Sequence, residues 1–168
     1  MMKKILKIYG SILKVIEKIE LTIGIALLAT LSIFIVIQIL LRYILGKPLV
    51  WVEELCTYAF IWTAFVGASY ALKHLRHIRV SSLIDMLSPK TKDYINIFVY
   101  ICIIFFLVFI TPFAYQQVRV ESSMYTQTLP IRISRKYFYS LPLLCSCLSM
   151  LITSIYFFLE RVNTIIKR

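Results

Sequence analysis

The sequence predicts an all-α membrane protein with four spanning helices, and three observations carry that expectation. Apolar residues make up 60% of the 168-residue chain, against 16% charged, and mean hydropathy is +0.84. A water-soluble domain of this length has too little interior to hide that much apolar surface. The apolar residues also collect into four stretches, 21–41, 55–72, 94–118 and 137–159, none of which contains Asp, Glu, Lys or Arg. Finally, the basic residues behind the formal charge of +11 sit in short clusters between those stretches, where orientation signals belong.

Each stretch is long enough to span. At about 1.5 Å per residue, roughly 20 helical residues cross a hydrocarbon core of about 30 Å. Trp51 and Val52 extend the shortest stretch on one side. The spanning helices are therefore read at about 21–41, 51–72, 90–118 and 137–159, within one membrane domain covering 1–168. The first apolar stretch is too long, and its basic leader too extended, for a cleaved signal peptide, so it reads as a retained helix. Clustered between apolar runs, the basic residues do not form a nucleic-acid surface, and no nucleic-acid partner is expected.

Orientation follows from the flanking Lys and Arg. Five lie in the N-terminal segment, five in the connection between the second and third helices, and three at the C-terminus; the other two loops hold six. Both termini are thus expected in the cytoplasm, with loops 42–54 and 119–136 on the outer side.

Residues 1–20 have a pattern of their own. Ile5, Tyr9, Ile12, Ile16 and Ile19 recur at steps of four and three, opposite Lys4, Lys7, Ser11, Lys14 and Lys18. That predicts an amphipathic helix, either at the cytoplasmic surface with its lysines near phospholipid headgroups or packed on a partner protein. Val80, Leu83, Ile84 and Leu87 predict a second, short interfacial helix in the cytoplasmic loop 73–93, with Ser88-Pro89 starting the next span.

The second helix carries the candidate contact residues. Pro48 suits its first turn and Trp51 the headgroup level. Glu53 and Glu54 follow at once, where the positive end of the helix dipole favours carboxylates, and Arg42 is the natural counter-charge. Adjacent helical residues point about 100° apart, so the two carboxylates cannot share one face. A proton relay would call for an acidic residue in mid-span, and the spans have none. Further on, Thr63, Gly67 and Ala71 recur every four residues, as do Ala64 and Ala68, amid Tyr58, Phe60, Trp62, Phe65 and Tyr70. Small residues at that spacing let another helix approach closely, and spacing alone leaves open whether that helix is in this chain or a partner.

No catalytic or metal centre is read. His74 and His77 lie three apart with no carboxylate or cysteine nearby in sequence to complete a metal site. Cys56, Cys102, Cys145 and Cys147 show neither CxxC nor zinc spacing and are expected as small buried thiols in helix packing. Pro112 and Pro142 are expected to make local kinks.

Taken in order, "RY" at 42–43, "WVEEL" at 51–55, "FIWTAFVGASYAL" at 60–72, "HIRVSSL" at 77–83, "TLPI" at 128–131 and "YFYSLP" at 137–142 resemble one family over residues 20–160. It is the small, Q-type membrane subunit of tripartite ATP-independent periplasmic (TRAP) transporters. The chain departs from the family pattern at Arg76, where a small residue is expected, and at Ser81, where Asp is common. The resemblance implies a non-enzymatic subunit of the bacterial inner membrane that clamps the stationary scaffold of a large M-type subunit. That partner carries the substrate and sodium sites and moves like an elevator, and an extracytoplasmic substrate-binding protein delivers an organic acid such as sialic acid or a dicarboxylate. No cofactor is implied for this chain, sodium coupling being expected in the partner.

On this reading Arg42, Trp51, Glu53, Glu54, Tyr58, Trp62, Gly67, Ala71 and His77 are candidates for structural or subunit contact. Arg132, Arg135 and Lys136 would meet either headgroups or the binding protein. The competing reading is a self-contained small transporter working as a homo-oligomer.

Overall fold

A computed structural model describes residues 2–44, 46, 49–74 and 89–166. Four long helices dominate it: α1 (Met2–Ile44), α2 (Val50–His74), α3 (Pro89–Glu121) and α4 (Ser140–Ile166). Each contains a segment long and apolar enough to cross a membrane. Successive helices run antiparallel, so one end of the molecule gathers both chain termini and the other gathers the α1–α2 and α3–α4 connections. The first is the terminal end and the second the loop end.

The helices do not close into a compact four-helix bundle. α4 is central, flanked by α2 on one side and α3 on the other, and α1 packs mainly on α2. α3 makes no extended contact with α1 or α2 among the described residues. Only 11% to 33% of each apolar span is buried inside the chain. Many of the other span residues are exposed, and a membrane span needs no water-shielding interior, so Phe98, Phe105, Phe106 and Phe109 stand exposed along α3.

Where helices meet, the core is made of small and hydroxylated residues. Ser69, Ser140, Thr153 and Ser154 are almost wholly buried, beside Val52, Tyr58, Leu107, Ala114 and Cys147. Two of the hydroxyls are satisfied locally: Thr153 donates to the Ser149 carbonyl and Ser154 to that of Met150, each at 2.8 Å. Others cross between helices, Ser146 Oγ donating to the Phe65 carbonyl at 2.6 Å and Ser69 Oγ to a Glu20 carboxylate oxygen at 2.8 Å. Small side chains let the α2 and α4 backbones approach that closely.

Several expectations change. Residues 2–20 are not a helix of their own. They are the first part of an unbroken 43-residue α1, about 64 Å long at the standard rise. No proline interrupts the segment, so nothing breaks the backbone ladder between the two parts. Its expected apolar face is also divided: Tyr9 donates its hydroxyl to the Ile152 carbonyl of α4, while Ile12 and Ile19 are exposed.

Among the cysteines only Cys147 is buried, while Cys102 and Cys145 face outward. Pro142 makes no kink. It lies in the first turn of α4, where its missing N–H is not needed. Pro112 is internal to α3. The short helix expected over residues 80–87 lies outside the described residues.

Candidate functional site

The site is built on α2, whose faces have different tasks. Positions 54, 58, 62, 65, 69 and 73 fall on one side of a 3.6-residue helix, and positions 57, 60, 64, 67, 68 and 71 on the other. The first side makes the contacts that hold this chain together. The second is exposed throughout.

At the loop end, Glu54 closes a clasp. One of its carboxylate oxygens accepts the Gln127 N–H at 3.0 Å and the other accepts those of Thr128 at 2.7 Å and Leu129 at 3.1 Å. The Thr128 and Tyr58 hydroxyls donate to the same carboxylate. Three successive backbone N–H groups converging on one anion make a charge-assisted cradle, stronger than the same number of neutral hydrogen bonds.

The segment it holds is folded back on itself. Thr126 N–H donates to the Ile133 carbonyl at 3.0 Å and Arg135 N–H to that of Met124 at 2.8 Å, around a single antiparallel bridge between Tyr125 and Ser134. One and two turns along α2 the clasp continues. The Tyr58 ring stacks on Phe138 at 4.2 Å and meets Tyr139 edge-on. Trp62 Nε1 donates to the Tyr137 carbonyl at 3.0 Å, in a 3-10 turn (Arg135–Tyr137) that leads into α4.

Towards the terminal end the same side of α2 builds a buried polar knot. Lys73 Nζ lies 2.6 Å from one Glu20 oxygen and also donates to Ser69 and Ser149 hydroxyls, at 3.2 and 2.9 Å. The other Glu20 oxygen accepts from Ser69 at 2.8 Å and Ser149 at 2.6 Å. The Lys73 and Glu20 side chains are 3% and 11% exposed, so α1, α2 and α4 share a compensated charge pair shielded from solvent. Beside it, His74 Nε2 lies 3.4 Å from Glu17 of α1.

The outward side of α2 is Thr57, Phe60, Ala64, Gly67, Ala68 and Ala71, all of them exposed among the described residues. A Cβ added at Gly67 would meet nothing within 4 Å. Among the described residues, therefore, nothing makes the contact of small residues that spacing left open.

The structure divides the candidate contact residues. Glu54, Tyr58 and Trp62 form the internal clasp. Glu53 points elsewhere, accepting from Gln38 Nε2 of α1 at 3.3 Å, as the 100° offset requires. Gly67 and Ala71 lie on the uncovered side, and Trp51 is 37% exposed at the loop end. Arg42 is exposed, and among the described residues no ion pair joins it to either carboxylate. Glu54 is compensated by N–H and O–H donors and needs no cation. His77 lies outside the described residues. Arg135 stacks over the Tyr139 ring at 4.7 Å and Lys136 over Tyr137 at 5.0 Å, while Arg132 stays exposed.

Sequence reasoning missed the knot. Lys73 and Glu20 border charge-free stretches and looked like ordinary flanking charges. The signal was the spacing that puts Ser69 and Lys73 on the Glu54 side of α2. Among the described residues no group of three or more His, Cys, Asp or Glu gathers to hold a metal.

An open array of spanning helices, with the polar groups along one side of α2 holding it to its neighbours and the small-residue side left exposed, defines a multi-pass membrane protein with a face suited to contact. Residues 31–164 match the family model for tripartite ATP-independent periplasmic transporters, DctQ component, and the chain belongs to that family, the small permease subunits of TRAP transporters. It is 28% identical over 130 residues to the sialic acid TRAP transporter small permease protein SiaQ of Vibrio cholerae, covering 77% of this chain and 74% of that one. With the ectoine TRAP transporter small permease protein TeaB of Halomonas elongata it shares 37% identity over 83 residues, 48% of this chain and 42% of the relative. Against the sialic acid TRAP transporter permease protein SiaT of Haemophilus influenzae it is 30% identical over 101 residues, which is 58% of this chain but 16% of SiaT. The chain thus spans under a fifth of SiaT and under half of TeaB. As a TRAP small permease subunit it is a multi-pass protein of the inner membrane.

Proposed function

We propose that this subunit braces the large, substrate-carrying permease by seating one of its helices against the small-residue side of α2. The observation that carries this reading is that side itself, uncovered from Phe60 to Ala71 while the opposite side is engaged from Glu54 to Lys73. Small side chains permit close backbone approach, the main source of attraction between helices in lipid. Similarity to a stretch of the much longer SiaT permease supports such a neighbourhood.

The finer parts of the proposal follow from the family and from charge. Both termini lie in the cytoplasm, on the count of Lys and Arg. The large partner moves in elevator fashion and couples uptake to sodium, with no cofactor on this chain. The cargo is an organic acid, for which sialic acid and dicarboxylates are the first to screen, brought by an extracytoplasmic binding protein. The loop held by Glu54, with Arg132 exposed on it, offers that protein a rigid outer surface.

The test is co-purification of the large subunit with wild type, Gly67→Leu and Ala71→Leu chains from mild detergent. Because Gly67 has open space around it, Gly67→Leu is expected to keep wild-type thermal stability when isolated and to retain several-fold less large subunit. Undiminished co-purification by both variants, or a wild type that elutes only with copies of itself, would overturn the scaffold reading. The second result would point instead to transport by a homo-oligomer.

A further inference from the structure

α1 carries a groove on the side facing away from α2 and α4. It has a volume of about 570 Å³ and is lined by Lys14, Val15, Lys18, Ile19, Thr22 and Ile23. These residues form two parallel rows at steps of four. Val15, Ile19 and Ile23 give an exposed apolar floor. Thr22 adds to it, because its hydroxyl donates back to the Lys18 carbonyl at 2.9 Å and no longer faces the groove. The two lysines stand at the terminal end of the floor.

The electrostatics of that end are decided by α2. Of the carboxylates on these turns of α1, only Glu17, three residues after Lys14, is within helical reach of the pair, while Glu20 points to the opposite side of the helix from Lys18. Glu20 is committed to Lys73 at 2.6 Å, and Glu17 lies 3.4 Å from His74. Among the described residues neither Lys14 nor Lys18 enters an ion pair. The groove therefore presents two uncompensated ammonium groups above an apolar channel.

We propose that the groove seats an anionic phospholipid, its phosphate between Lys14 and Lys18 and one acyl chain along Val15, Ile19 and Ile23. An ammonium pair four residues apart matches an anionic headgroup, and the floor matches the chain that such a headgroup brings with it. The proposal stands apart from the scaffold role, since the groove lies on α1 and the uncovered small-residue side on α2. Neither does it depend on which way the chain is inserted.

The test is native mass spectrometry of the full chain in mild detergent, with phosphatidylglycerol and phosphatidylcholine supplied in equal amounts. Wild type is expected to retain phosphatidylglycerol in preference. Lys14→Gln/Lys18→Gln is expected to lose that retention roughly tenfold or more, the scale of two lysines at a charged headgroup. Ile19→Trp, which fills the groove and leaves every charge in place, is expected to lose it as well. Both variants change exposed positions, and their thermal unfolding should match wild type. Equal retention of the two lipids by wild type would overturn the proposal. So would full retention by Ile19→Trp, which would mean diffuse attraction to the lysines and no seat in the groove.

Discussion

Lys73, near the end of α2, places its ammonium 2.6 Å from the carboxylate of Glu20 on α1, 53 positions earlier in the chain. Ser69 and Ser149 hydrogen-bond to both ions. Counted from Glu20 to Ile44, α1 runs about 36 Å at the standard rise, close to the apolar thickness of a bilayer with its margins. The pair lies at one end of that length and joins three helices there.

Removing one ion leaves the other buried without compensation, which costs about 3–5 kcal/mol in comparable pairs. Glu20→Gln and Lys73→Met are each expected to lower the thermal unfolding midpoint of the purified chain markedly. The double variant Glu20→Gln/Lys73→Met should lose far less than the two single losses added together. Strict additivity in that double-mutant cycle would show that the two side chains do not act as a pair.

Glu54 is expected to govern the order of the loop it holds. Glu54→Gln removes the negative charge and turns an N–H₂ donor towards backbone N–H groups that have nothing to give it. With hydrogen bonds to a charged group contributing about 1.5–3 kcal/mol each, amide exchange at 127–129 should accelerate at least tenfold. Exchange within α4 beyond its first turns should stay at wild-type rates. Unchanged protection at 127–129 would mean that the hairpin around Tyr125 and Ser134 holds itself.

Two of the three α-helical glycines, Gly10 and Gly67, should respond with opposite signs. Gly67→Ala meets empty space, so it gains the helix preference of alanine over glycine, about 0.5–1 kcal/mol. At Gly10 an added Cβ lies 3.0 Å from the Tyr156 hydroxyl oxygen. Tyr156 must shift, and the T-shaped contact between Tyr9 and Tyr156 shifts with it. Gly10→Ala should therefore be neutral or destabilising in the same unfolding assay, and a stabilisation equal to that of Gly67→Ala would contradict the packing of α1 on α4.

Much of the architecture was legible because a bilayer leaves few options. A charge-free run of some 20 residues has to be a helix, since no water is available to satisfy its backbone. The 100° step between neighbours likewise foretold that Glu53 and Glu54 would part, one to Gln38 and the other to the loop. The cysteines were less legible. In a membrane an apolar residue does not have to be inside the protein, so Cys102 and Cys145 lie in apolar runs and still face outward. Residues 2–20 misled for a related reason. An amphipathic pattern shows that a helix has two faces, not whether it ends before the next one begins.

The sequence alone determined the four spanning helices, the expected orientation and the family, because these depend on local hydropathy, charge count and ordered motifs. Only the tertiary structure decided what each face of α2 does. Glu54, Tyr58 and Trp62 turn inward to hold the loop and the start of α4, Lys73 goes to Glu20, and Gly67 is left uncovered. Those outcomes depend on which helices become neighbours and at what register. In an open array, with α4 at its centre and α3 apart from α1 and α2, that is set by contacts between residues more than fifty positions apart, which no local pattern encodes.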